Sequence, residues 1–480
     1  MSDAVCFWSA RELTAAMSEG TISAREVLDA HLDQIARVNP QVNAVVTLVE
    51  DRARAAAGVA DTRQARRDPL GPLHGLPVAH KDTHLTAGIR TTFGSPLFAD
   101  NVPAESELVV ERLLEAGAIT VGKTNVPEFA AGSHTVNPVF GATLNPYDRT
   151  RSAGGSSGGA AVAVACGMVP VADGSDMGGS LRNPAAFCNV VGFRPSPGRV
   201  PTYPVPMAWS TLSVQGPIAR SVGDVALALS ALAGPDPRSP IAIPEPASVF
   251  AAPLDRDMRG LRVAWSPDLG GAVPVDQAVL DALAPVPAVF ERLGAVVEQA
   301  CPDLHSAEEV FRTLRAWHFA QAYGPLAEQS RDRLNANIVW NLEQGRRLDG
   351  ADLARAEVWH TALFHRVRAF FERFDILVLP VTQVVPFDVC IDHPTEIAGV
   401  AQETYLDWMR SCYWISATGS PALSVPAGFT PDGLPVGLQV VGPHRGDLDV
   451  LQVGHAFEQA TEVGRRPPVV AGEITDAVTG

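Results

Sequence analysis

The sequence predicts an α/β fold. Two observations carry this. From about residue 75 onward, short apolar runs alternate with stretches of helical character, the pattern of strands separated by helices. The 480 residues are 46% hydrophobic and 19% charged, enough apolar material for one large core and too apolar for a disordered chain. No internal repeat or low-complexity segment breaks the pattern.

The elements follow in order. Ser9 with Glu12, and Ser23 with Glu26, form capping-box patterns that each start a helix, the second expected to end near Val38, before Pro40. An Ala-rich helix fits residues 48–66, and the Asp68-Pro69 and Gly71-Pro72 pairs mark a turn. Residues 76–80 read as a strand, 104–116 as a helix with Val109, Leu113 and Ala116 on one face, and 118–121 as a buried strand. Residues 158–167 read as a small-residue helix, and Ser221 with Asp224 caps another whose inner face is Val225, Leu229 and Leu232. The proline-rich stretch 234–250 is a loop. Beyond it lie a strand at 261–265, a helix at 276–293 broken by Pro285 and Pro287, and charged helical sequence over 305–373. Short strands at 376–381, 423–425 and 436–441 follow, the last two joined by a loop containing Pro431, Asp432 and Gly433.

Composition narrows the function. A net charge of −16 disfavours phosphate backbones and anionic membranes as partners, so neither nucleic acid nor membrane is expected. Met1 to Ala4 show no basic, apolar leader pattern, and the apolar run 160–172 is short and interrupted by Gly167 and Pro170, so a cytoplasmic chain is expected. Cys6, Cys166, Cys188, Cys301, Cys390 and Cys412 are scattered without a CxxC pair and read as reduced thiols. His80 and His84 stand four apart, but no Glu completes a zinc motif, and no metal or cofactor is expected. Only two of the 37 basic residues are lysines, Lys81 and Lys123. A position that keeps lysine in so arginine-rich a chain points to something arginine cannot do: a desolvated lysine can give up its proton, whereas arginine stays charged.

Three motifs compete. Gly117 to Thr124 matches the P-loop pattern, but Ile119, Thr120 and Val121 favour a strand where the phosphate loop belongs, and Gly117 reads as a helix C-cap. Gly155 to Gly159 matches the GxSxG elbow around Ser157, but residues 149–154 read as a loop where a strand is required. The third is a constellation: Lys81 after the apolar run from Gly75, the small-residue loop 153–159 containing Ser156 and Ser157, and the run Asp173-Gly-Ser-Asp-Met-Gly-Gly-Ser180-Leu-Arg182.

This ordered set of blocks resembles the amidase signature family, most strongly over residues 71–220, with family-like sequence again at 416–426 and 433–442 and only a loose match over 240–375. The resemblance implies a single large domain over 1–480, built on a central twisted mixed β-sheet flanked by α-helices, with a signature core at about 71–220 and a more variable, largely helical region at about 240–375. It implies Lys81 as base, Ser156 as bridge and Ser180 as nucleophile, with Ser157 beside the bridge. It also implies a cis Gly155–Ser156 peptide bond and an oxyanion hole from the backbone N–H groups of Met177, Gly178, Gly179 and Ser180. Met177 departs from the family, which more often has Thr or Ile there, and this alters the pocket. Asp176 and Arg182 read as a buried charge pair bracing the turn, and Lys123 as a structural hydrogen-bond donor.

The chemistry fits these residue types. A serine hydroxyl attacks only when a neighbour takes its proton, burial keeps a lysine amine partly neutral for that task, and a second serine can accept and donate at once. By family position, Ala130, Ala131, Gly132, Ser133, Met207 and Trp209 are expected to form the pocket, the small residues leaving room and Trp209 supplying an aromatic wall. The expectation is an amidase taking aryl or bulky apolar amides as a monomer or homodimer. The alternatives are a carbamate or ester hydrolase on the same site, a glutamine-hydrolysing subunit of a transamidation complex, and an inactive binding protein of the same fold.

Overall fold

Both N-terminal capping boxes form in the computed structural model, which describes residues 5–471. Met1 to Ala4, read above as lacking a leader, lie outside the described residues. Helices α1 (Ala10–Glu19) and α2 (Ala24–Val42) start at Ser9 and Ser23 as expected. α2 does not stop before Pro40. It runs two residues beyond it and closes on Asn43 at φ 53°, because a proline in the last turn forfeits one N–H without disturbing the turns before it. Strand β1 (Val45–Leu48) then takes Leu48, the first residue of the expected helix, which begins instead as α3 (Glu50–Ala65).

The next elements are β2 (Pro77–Lys81), α4 (Leu108–Glu115), β3 (Ile119–Thr124), α5 (Gly158–Ala165), β4 (Val171–Asp176), α6 (Arg182–Phe187), β5 (Val191–Arg194), β6 (Val214–Ala219) and α7 (Val222–Leu232). Both motif rejections agree with this layout. The supposed phosphate loop is strand β3, and the residues before Ser157 contribute only isolated bridges. Beyond the proline-rich stretch lie β7 (Arg262–Trp265), α8 (Gln277–Leu283), α9 (Val286–Arg292), β8 (Val296–Gln299), α10 (Ala307–Ser330), α11 (Ala336–Arg347), α12 (Gly350–Phe370), β9 (Ile376–Pro380), α13 (Arg410–Thr418), β10 (Ala422–Phe429), β11 (Pro435–Val441) and α14 (Asp447–Thr461). The break between α8 and α9 falls at Ala284-Pro285, where proline removes the donor that a continuous helix needs.

Eleven of these strands form one mixed sheet in the order β1-β3-β2-β4-β6-β5-β10-β11-β9-β7-β8. β3, β2 and β4 run parallel to one another, as do β9, β7 and β8, while the strands between them pair antiparallel. The two halves of the chain join where β5 pairs with β10, Phe193 opposite Leu423. α5 is buried along its whole length, so its small residues pack directly on the sheet, and one continuous apolar core surrounds both faces. β2 and β4 end side by side, bringing Lys81 and Asp176 to the same edge.

Candidate active site

Lys81 closes β2 and is wholly buried. Its Nζ lies 2.8 Å from Ser156 Oγ, 2.9 Å from Ser157 Oγ and 3.0 Å from Ser175 Oγ. Burial lowers its pKa from 10.5 to about 7, against the opposite pull of Asp176, Asp173 and Glu107. A neutral amine has two N–H groups and one lone pair, so it can donate to two of these hydroxyls and accept from the third. Near pH 7 the group therefore stands ready to take a proton from serine.

The strand end is held from behind. Asp173 Oδ1 accepts the Lys81 backbone N–H at 2.8 Å and the His84 Nδ1–H at 2.7 Å, while Oδ2 takes His80 Nδ1. Burial would raise the Asp173 carboxyl, but the two imidazoles outweigh it and keep the group ionised. His80 also meets Thr120 on β3 at 2.8 Å. The histidines thus brace the strand end that carries the lysine. Lys123 donates to the His84 carbonyl and, at 2.7 Å, to Thr86 Oγ1.

Ser156 follows a cis Gly155–Ser156 bond. Ser133 Oγ donates to the Gly155 carbonyl and accepts from Asn183 Nδ2 at 3.0 Å. Ser157 Oγ lies 3.4 Å from the Ser175 carbonyl, and its backbone N–H donates to the Ser180 carbonyl at 3.2 Å, tying the two serine loops together.

Ser180 sits in the turn between β4 and α6. Asp176 Oδ1 and Oδ2 accept Arg182 Nη2 and Nε at 2.9 and 3.0 Å, and Arg194 Nη1 adds a contact of 3.2 Å. Burial would raise the Asp176 carboxyl, but the two guanidiniums hold it well below the usual carboxylate range. This is the expected brace, extended by Arg194. It also corrects one expectation: the Gly179 N–H donates to Asp176 Oδ1 at 2.9 Å and is spent inside the turn. Gly179 is needed for its φ of +119° and because a Cβ would stand 2.6 Å from Asn183 Nδ2. The N–H groups of Met177, Gly178 and Ser180 take no protein acceptor among the described residues.

Ser156, Ser175, Met177, Gly178 and Ser180 open into a cavity of about 400 Å³. Its walls include the aromatic and thioether side chains of Phe93, Phe129, Phe311, Phe319, Tyr323 and Met409, beside the polar or charged His84, Glu107, Gln215, Arg315 and His318. Of the expected pocket residues, Ala130, Gly132 and Met207 line it. Ala131 instead packs into a small apolar cluster, and Ser133 braces the loop below. Trp209 does not form a wall: it is 78% exposed and absent from the cavity lining, because its turn lies on the outer surface. The aromatic walls come instead from α10 and from residues 93 and 129. Sequence reasoning missed Ser175, because its place follows only from β4 being a strand, where alternation puts Ser175 on the Asp173 face, toward Lys81.

Comparison with known proteins agrees with this architecture. The Amidase family model matches residues 26–451. An acylamidase of Rhodococcus erythropolis is 36% identical over 453 residues, 94% of each chain. A glutamyl-tRNA(Gln) amidotransferase subunit of Geobacillus kaustophilus (strain HTA426) is 36% identical over 490 residues, covering 96% of this chain and 99% of its own. Among solved structures, a bacterial aryl acylamidase of the amidase signature enzymes superposes with a TM-score of 0.91 at 30% identity, covering 97% of this chain and 99% of its own.

Proposed function

The chain belongs to the amidase family, and from that premise we propose that it is a serine amidohydrolase acting on aryl or bulky apolar amides through an acyl-enzyme on Ser180. The observation that carries this reading is a buried lysine whose pKa burial lowers to about 7, set 2.8 Å from Ser156, which lines one cavity together with Ser180 and several aromatic side chains.

In the proposed reaction, Ser180 Oγ attacks the carbonyl carbon while its proton passes to Ser156 Oγ, whose own proton passes to Lys81 Nζ. The oxyanion forms against the free N–H groups of Met177, Gly178 and Ser180. Losing one such donor typically costs about 100- to 1000-fold in rate. The C–N bond then breaks, and Lys81 returns its proton through Ser156 to the leaving nitrogen. Water attacks the acyl-enzyme with the same proton path and releases the acid. Ser175 and Ser157 fill the remaining hydrogen-bonding positions of the amine and hold it toward Ser156.

A glutamine-hydrolysing role is the second reading, supported by the amidotransferase relatives at the same identity as the acylamidase. Measuring kcat/KM over anilides, primary amides including glutamine, esters and carbamates separates the readings. The proposal expects anilides to lead the amides and Ser180→Ala to abolish turnover. Hydrolysis of glutamine alone would overturn it in favour of the second reading, and leading carbamate turnover would move the bond class.

A further inference from the structure

Arg315 lies on α10 and lines the cavity, yet is only 5% exposed. Its partners are all neutral. Nη1 lies 3.1 Å from Met177 Sδ, Nη2 donates to Tyr405 Oη at 2.9 Å, and the guanidinium stacks 4.4 Å from the Phe319 ring centre. Its Nε has no hydrogen-bond partner, and among the described residues no carboxylate pairs with it. The nearby acids are already engaged: Glu308 contacts Arg312 at 2.9 Å and Arg410 at 3.1 Å, and Asp407 contacts both of the same arginines. One turn along α10, burial and the Arg315 charge push His318 down to about 4, so it is neutral near pH 7. Glu107, the carboxyl lining the cavity, is occupied by the Leu85 N–H at 3.1 Å and Gln215 Nε2 at 2.6 Å.

An arginine buried without a counter-charge is costly, and the cost is relieved when an anion completes it. Arg315 is among the residues that line the cavity, and Met177, which it touches, belongs to the turn that carries Ser180. We propose that Arg315 is a specificity-determining residue that binds a carboxylate carried by the amide substrate, within side-chain reach of the oxyanion turn. This deepens the hydrolase reading and rests on it. The aromatic walls then hold the apolar body of the substrate while Arg315 reads its charge. Met177, which departs from the family pattern, is the contact that fixes the guanidinium beside the turn.

The test compares acetanilide with two anionic analogues: succinanilate, charged on the acyl side, and 4-acetamidobenzoate, charged on the aryl side. The expected result is a kcat/KM for at least one anion about 10- to 100-fold above acetanilide, the worth of a charge-assisted hydrogen bond. Arg315→Met should bring that ratio to about one, and Arg315→Lys should keep part of it. If the Met variant does not fold, the wild-type ratio and the Lys variant still decide. Calorimetric binding of the same three compounds to Ser180→Ala gives a readout independent of turnover, and the anion preference should persist there. A wild-type ratio of one or below, or no anion preference in binding, overturns the assignment. Absence of turnover with all three compounds, together with retained anion preference in binding, would sink the hydrolase reading and leave the Arg315 site standing.

Discussion

The ends of β2 and β3 carry the chain's two lysines, neighbours in the sheet, both buried, and with different work to do. Lys81 aligns with Thr124, and Lys123 with His80, so strand alternation sends the two side chains to opposite faces. Burial lowers both, to about 7 and about 8, so burial does not distinguish them. Their partners do. Lys81 meets three hydroxyls at 2.8, 2.9 and 3.0 Å, each able to donate as well as accept, and a carbonyl, that of Ser175, only at 3.5 Å. Lys123 meets a carbonyl, which only accepts, and one hydroxyl. A lysine facing a carbonyl is held as a donor, whereas one facing serines can exchange a proton.

The largest effect should come from Lys81. Lys81→Met is expected to lower kcat by at least about 10³-fold with the thermal transition retained, and Lys81→Arg should not restore it, because arginine keeps its proton. An active Lys81→Arg would show that turnover does not depend on a neutral amine at this position. Next comes pH. Below about 7 Lys81 is an ammonium without a lone pair, and above it the amine is neutral, so kcat/KM should rise as pH passes through about 7 and then level off. Lys123→Met should act on stability instead. It leaves the His84 carbonyl and Thr86 without their donor, at a cost on the order of 1–3 kcal/mol in denaturant unfolding, while the remaining folded enzyme keeps its pH profile. The smallest effect is expected for Ser175→Ala, at about tenfold or less in kcat, since it removes one of three hydroxyls around the amine and leaves Ser156 in place.

Much of this was legible in the sequence where a local pattern has a local cause. The capping boxes at Ser9 and Ser23, the strand inside the false P-loop and the loop before Ser157 all follow from short-range chemistry. The strands β4, β5 and β6 were not legible. They lie in the middle of the sheet, buried on both faces, and sequences such as Val-Ala-Asp-Gly-Ser-Asp show no alternation to read. The missed β4 hid Ser175. The pocket walls were the least legible part, because they depend on where α10 packs, more than 100 residues from the serines in the chain. That is why Trp209 was expected in the cavity while Phe311, Phe319 and Arg315 were not. Gly179 shows the same limit at short range: its place in the motif suggests an oxyanion donor, and only the fold shows its N–H turned to Asp176.

We propose Ser180 as the nucleophile, activated by a neutral Lys81 through Ser156. Peptide mapping after reaction with a fluorophosphonate, repeated across pH 5–9, tests it most directly. One adduct is expected, on Ser180, formed at a rate that rises as pH passes through about 7 and lost in Lys81→Met. An adduct on Ser156, Ser157 or Ser175, or no adduct on the wild-type chain, would contradict it.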